Sequence, residues 1–511
     1  MPAVQTIITD VADGRALAGD TTTALHPLSL LLAAGGDGRI WPDAVTGRNR
    51  YGTRTVPCDD EISFASTTAS NVSAAGFAAA DAELMRLFGV DGAYSSTSID
   101  DCFATIRDRV ARRFGSRGTE VILAASGTDI ELFALGLVAG LSRRPMTNIL
   151  IAPEETGSGI PRAAAGCHFS EMTALGRTVV ANAVLDGIAG QRIDVRTVPI
   201  RNGAGQPRHE SEIDAEVIAL VEQELKRDRD VLLHVLDTSK TGLTAVSRRA
   251  ARYVASLSPG RVRVLVDACQ LRCSGDTVRR DIADGFLVAV TGSKFLAGPP
   301  FSGALLVPAS FAEEFAASPT IPAGLSDYTA LHDWPARLRE RTRLKFGSHF
   351  NLGLGLRWIA ALAQMDPLAD IGEGLQLQIK RAFADLVRAR GDDLPAALIH
   401  PDDEGDHVAG RAIVPLTILN GAGGFASLAQ AQAIHLDLRE NATGPVCHVG
   451  QAVHLGHRTI LRVAASASDI NAVSARMAGG RSLSEAMQPI ADGLDIVFDK
   501  WAAVSRMVDG A

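Results

Sequence analysis

The chain has 511 residues, 46% hydrophobic and 21% charged, with a net charge of -8 at pH 7 and a pI near 5.9. That is the composition of an ordinary globular protein with ample core, long enough for two domains. Its acidic balance argues against nucleic acid or an anionic membrane as the main partner. The N-terminus Met1-Pro2-Ala3-Val4 lacks the basic and apolar regions of a signal peptide, and no apolar stretch nears the roughly 20 residues that span a bilayer. The six cysteines are dispersed, without a CxxC pair, so the expectation is a cytoplasmic protein with reduced thiols.

In chain order, residues 1–55 are rich in Gly, Asp and Thr, weakly periodic, and read as an arm laid over the body. Residues 56–345 read as a large domain in which short apolar strands (120–124, 148–152, 231–236, 261–266, 286–290) alternate with helices of crossover length such as 129–141 and 211–227. Such alternation predicts an α/β fold with a mostly parallel sheet, of about seven strands, covered by helices on both faces. Residues 346–366 read as a connector helix. Residues 367–511 read as a smaller α+β domain, with a helix over 372–390, strands around 409–419 and 459–463, and a terminal helical region.

Two of the apolar strands end in chemistry. Val288-Ala289-Val290-Thr291-Gly292-Ser293-Lys294 runs from a buried strand into a small-residue turn carrying one lysine. Val264-Leu265-Val266-Asp267, upstream, ends in an aspartate. Ligands of parallel sheets bind at the carboxyl ends of the strands. A lysine and an aspartate there are what pyridoxal phosphate (PLP) chemistry needs. The amine forms a Schiff base, and the carboxylate keeps the pyridine nitrogen protonated. The chain holds only six lysines among fifty basic residues, which sharpens the case for Lys294. Helical surface accounts for Lys226, Lys380 and Lys500. The third piece is Glu120–Ala124 followed by Ser126-Gly127-Thr128 at a helix start, where backbone N–H groups can cradle a phosphate, although alone such a turn is no more than an N-cap.

Together these segments resemble the class V aminotransferase and cysteine desulfurase group of fold type I PLP enzymes, over residues 60 to 470. Residues 118–131 are similar to that group's strand–SGATE–helix segment, which implies that Ser126, Gly127 and Thr128 hold the phosphate. His234-Val235-Leu236-Asp237 is similar to its H-V-x-N segment, placing Asp237 near the cofactor hydroxyl. Asp267 and Gln270 match D-x-x-Q, the pyridinium partner and ring-hydroxyl contact, and Ser293-Lys294 matches the Schiff-base site. Phe346-Gly347-Ser348-His349-Phe350-Asn351 resembles the G-T-x-N loop. That implies a homodimer with shared sites, Ser348 touching the neighbouring subunit's phosphate and Asn351 near the substrate. Arg462, in Leu461-Arg462-Val463-Ala464, falls where the family's arginine grips the substrate carboxylate.

The resemblance leaves the reaction open. Ala442-Thr443-Gly444-Pro445-Val446-Cys447 resembles the R-T-G-x-x-C loop of one desulfurase branch, which makes Cys447 a candidate nucleophile for sulfur. Two departures weigh against it: Ala442 replaces the loop arginine, and Glu154-Glu155-Thr156-Gly157-Ser158-Gly159 has no ring-stacking histidine. The expectation is therefore amino-group transfer on a small amino acid. The alternatives are C–S lyase chemistry, racemisation or, from another class, a non-catalytic or NAD(P)-binding α/β protein. No metal is expected, since Cys447, His448, His454 and His457 fit no common zinc spacing. Gly421-Ala422-Gly423-Gly424 lacks the strand–turn–helix setting of a dinucleotide fingerprint.

Overall fold

The computed structural model describes residues 26–88, 96–188, 193–317, 320–342, 344–400, 410–440 and 444–509. Its strands are β1 (Ile62–Phe64), β2 (Glu120–Ala124), β3 (Met146–Ile151), β4 (Ile193–Val198), β5 (Asp230–Leu236), β6 (Val262–Ala268), β7 (Leu287–Thr291), β8 (Gly303–Val307), β9 (Ala397–Leu398), β10 (Ile413–Ile418), β11 (Cys447–Leu455) and β12 (Arg458–Ala464). A seven-stranded sheet runs in the order β2-β8-β7-β6-β5-β3-β4. Only β8 is antiparallel to its neighbours.

Successive strand residues face opposite sides of this sheet, and both sides are covered. Val231, Leu233, Val264, Val266, Val288 and Val290 join one core, while Leu232, Leu265, Leu287 and Ala289 join the other with the helix Gly127–Leu141. This two-sided burial is why the strands read as near-continuous apolar runs. The sequence reading passed over β4 and β8. β4 is a half-exposed edge strand with polar residues. β8 returns directly from the Lys294 loop with no helix between, breaking the strand–helix alternation that marked the others.

The second sheet, β1-β11-β12-β10-β9, is antiparallel except for β1, which lies parallel to β11 with Ile62 opposite Cys447. The division expected at residue 56 puts 62–64 in the large domain, but Phe64 instead packs on Phe383 of the helix Glu373–Gly391 (centroids 5.7 Å). The long helix Leu352–Asp370 ties the whole together. Its Arg357, fully buried, donates to the carbonyls of Phe301 (2.8 Å), Leu32 (3.2 Å), Gly35 (2.8 Å) and Ala34. That fixes the described part of the arm, residues 26–55, while the rest of it, 1–25, lies outside the described residues. Among the described residues no helix is long and apolar enough to cross a membrane.

Candidate active site

A cavity opens at the carboxyl ends of β2, β3, β5, β6 and β7, and Lys294 lies in its wall. The lysine sits on a closed loop. Gly298 N donates to Gly292 O (2.9 Å) and Ala297 N to Lys294 O (3.0 Å). The loop is pressed so closely on the long helix that a Cβ on Gly292 or Gly298 would stand 2.6 Å from Ala361 Cβ. Ser70 Oγ donates to Lys294 O (3.0 Å), so the loop backbone is held from two sides. Among the described residues nothing bonds Lys294 Nζ, which leaves the amine available in the cavity.

β6 brings Asp267 and the following turn to the same wall. Asp267 Oδ1 accepts from Cys269 N (3.0 Å) and Gln270 Nε2 donates to Thr67 O (3.0 Å). Gln270 Oε1 and Thr67 Oγ1 are buried without a protein partner. Such polar atoms cost free energy unless something satisfies them. Below, His234 Nε2 stands 3.2 Å from Glu131 Oε2, and Asn148 Nδ2 donates to Glu131 Oε1 (2.8 Å). Burial opposes a charged imidazole, but the Glu131 carboxylate outweighs it and raises His234 above the usual histidine value.

At the other end, Ser126 caps the helix Gly127–Leu141, and Gly127 and Thr128 present N–H groups at its start. A Cβ on Gly127 would stand 3.2 Å from Cys269 Sγ, so a bare glycine suits the place where this turn meets the Asp267 turn. Asp129, in contact with the Ser126 hydroxyl, is pushed up to about 7 by burial. Two residues of the arm line this end. Arg39 is bidentate on Asp37 (2.9 and 2.7 Å) and lies over Phe301 (4.9 Å), and Tyr51 is beside it. The arm carries no periodic pattern that would mark them, so both were missed.

The remaining wall was also missed. Glu155 comes from the segment that lacks the ring-stacking histidine. It is buried and bonded to Arg201 Nε (2.5 Å), Ser239 Oγ (2.8 Å) and Thr241 Oγ1 (2.5 Å). Its carbonyl accepts from Lys240 N (3.1 Å). Lys240 thus sits at the tip of a turn pinned on both sides and lines the cavity with Lys294. Burial and the charges of Arg462 and Lys294 push its amine down to about 7. The one available sequence signal was that Lys240, among six lysines, lies on no helical surface. Arg462, on β12, stands just behind the wall. Its Nη2 donates to Gln451 O (2.6 Å) and Thr68 Oγ1 (3.3 Å), while Nε and Nη1 are buried without partners. Burial pushes it down to about 10.

Ser126, Gly127, Thr128, Asp267, Gln270, Ser293 and Lys294 therefore come together in the cavity, with Arg462 behind its wall. Four other candidates do not reach it. Asp237 is turned away into a buried ion-pair cluster with Arg248 (2.8 Å) and Arg411 (3.3 Å), and these guanidinium groups hold it below the usual carboxylate range against burial. Thr238 lines the cavity in its place. Asn351 caps the long helix through Leu354 N (3.1 Å) and donates to Gly35 O (3.0 Å), so its amide is already engaged. Ser348 bonds Phe350 O (3.1 Å) and does not line the cavity of its own chain. Cys447 is the first residue of β11, fully buried, with its thiol on Pro445 O (3.4 Å) and raised by burial. A thiol packed in a strand is no exposed loop nucleophile. Ala442 and Thr443 lie outside the described residues.

The orphaned atoms and helix start fit PLP: an anion site at Ser126–Thr128, a carboxylate at Asp267 and a free amine at Lys294. No protein-family model matches the chain, and no curated protein does. Solved structures do. A cysteine desulfurase from Escherichia coli superposes with a TM-score of 0.52 at 14% identity, over 86% of this chain and 94% of that one. A phosphoserine aminotransferase from Cytophaga hutchinsonii superposes with a TM-score of 0.50 at 13% identity, over 86% of this chain and 99% of that one. At such identities the likeness establishes the fold. The chain has the α/β fold that this desulfurase and this aminotransferase share, the fold its motifs implied.

Proposed function

We propose that the chain is a PLP-dependent enzyme acting on a small amino acid, with amino-group transfer as its reaction. The observation that carries this is the meeting of Lys294, Asp267 and the Ser126–Thr128 helix start in one cavity, in a fold shared with an aminotransferase and a desulfurase. PLP, when bound, supplies an electron sink for negative charge at the substrate α-carbon.

The protein's own residues do the rest. Lys294 Nζ would hold the cofactor covalently and, as a free amine, would serve as the base that takes the substrate's α-proton. Asp267 keeps a proton on the ring nitrogen, with the Glu131–His234 pair beneath it. Gln270 meets the ring hydroxyl. Ser126, Gly127 and Thr128 hold the phosphate, and Arg462, with two guanidinium nitrogens lacking protein partners, offers the carboxylate site. Ser348 reaches the phosphate of the neighbouring subunit in a homodimer. The burial of Cys447 away from the cavity favours transfer over desulfuration, which needs a sulfur acceptor there.

The test is the visible absorption of the purified protein with PLP, beside Lys294→Ala. The wild type should show a band that the variant lacks. Amino acids added singly should bleach it stably if the reaction is transfer, whereas recovery of the band with release of the side-chain fragment would make it a lyase. A wild type with no band defeats the proposal and leaves a non-catalytic or nucleotide-binding α/β protein.

A further inference from the structure

Resting on that function, the charges around the cavity carry the argument to the substrate class. Every carboxylate lining the wall is engaged. Glu155 is on Arg201 (2.5 Å), Glu131 on His234 (3.2 Å) and Asn148 (2.8 Å), and Asp267 is the partner assigned to the ring nitrogen. Of the cations, Arg39 is paired with Asp37 (2.7 Å) and Lys294 is consumed by the cofactor. Two remain. Lys240 Nζ has no bonding partner among the described residues, and Arg462 has two buried nitrogens without one. Two neighbouring positive charges whose nearest carboxylate, Glu155, is already paired with Arg201 are unfavourable until anions arrive. The lowering of Lys240 by burial and by Arg462 and Lys294, with Glu155 opposing, reflects the same imbalance.

The turn geometry says that Lys240 is placed rather than stray. Ser239 and Thr241 both donate to Glu155 Oε2, and Gly242, at φ +92°, closes the turn with its N–H on Ser239 O (3.1 Å). A buried, bidentate-capable arginine and an amine on a fixed turn are two anion sites. We propose that the substrate is an amino acid with a second carboxylate, its α-carboxylate taken by Arg462 and its side-chain carboxylate by Lys240 Nζ.

The probes are glutarate and butanoate, non-reacting acids of similar length, titrated calorimetrically into PLP-loaded wild type, Lys240→Gln and Lys240→Arg. In the wild type glutarate should bind on the order of tenfold tighter or more, the scale of one charge-assisted hydrogen bond. Lys240→Gln should erase that preference while leaving butanoate affinity unchanged, and Lys240→Arg should keep part of it. Equal affinities in the wild type, or a parallel loss of both acids in Lys240→Gln, would overturn the inference. The absorption band separates the two readings. A band in wild type and Lys240→Gln without glutarate preference defeats only this inference. No band defeats the proposed function, while a Lys240-dependent preference would still establish the dianion site.

Discussion

Asp267 and Lys294 could be read because their residue types carry their chemistry and because each follows an uninterrupted apolar strand. Asp267→Asn, isosteric but unable to hold a charge against the ring nitrogen, should retain the band and slow turnover on the order of 100-fold or more. Turnover within a few-fold of wild type would deny Asp267 its role. Lys240 was hidden for the opposite reason, since what places it is a buried glutamate far away in sequence, and Arg39, held by the nearby Asp37, lies in an arm with no periodic pattern. Asp129 gives a prediction in pH. Burial raises it from 3.8 to about 7, so between those values the folded state keeps a proton that the unfolded chain has released. Its contribution to stability therefore falls as pH rises through that window. Asp129→Asn should match wild type near pH 4 and melt higher than it at pH 8, by about 2 °C or more. Identical pH profiles for the two proteins would rule out the raised carboxyl.

The strand–helix alternation was legible from β2 to β7 because each strand is buried on both faces and each crossover helix is long enough to show its period. The connector helix was legible too, expected over 346–366 and found over Leu352–Asp370, where Asn351 caps it and does not line the cavity of its own chain. A side chain that matches a motif's letter serves the nearest unsatisfied backbone, here the free N–H groups of a 19-residue helix. Asn351→Ala should then cost about 1 kcal/mol of stability and leave the band and the binding of carboxylic acids unchanged. A selective loss of acid binding at unaltered melting temperature would restore the substrate role. Cys447 teaches the same lesson. Its loop motif matched, but β1 pairs alongside it and turns the position into core. Such long-range pairing leaves no local trace.

For the whole molecule, the arm is part of the site rather than decoration. Arg357 and the Arg48–Glu61 pair (2.7 Å) clamp it so that Arg39 and Tyr51 face the anion end of the cavity. Arg39→Ala should weaken retention of PLP several-fold on dialysis without lowering the melting temperature of the apoprotein by more than about 1 °C. Unchanged retention would leave Arg39 a purely structural residue. The homodimer inferred from Ser348 should appear as twice the chain mass in sedimentation equilibrium, and a monomer that still binds PLP tightly would remove Ser348 from the site. The central claim is that this cavity holds PLP on one lysine, and two lysines line it. Borohydride reduction of the PLP-loaded protein, followed by peptide mass mapping, tests it most directly. The account predicts the reduced adduct on the peptide carrying Lys294 and none on that carrying Lys240. An adduct on Lys240, or no adduct at all, would contradict it.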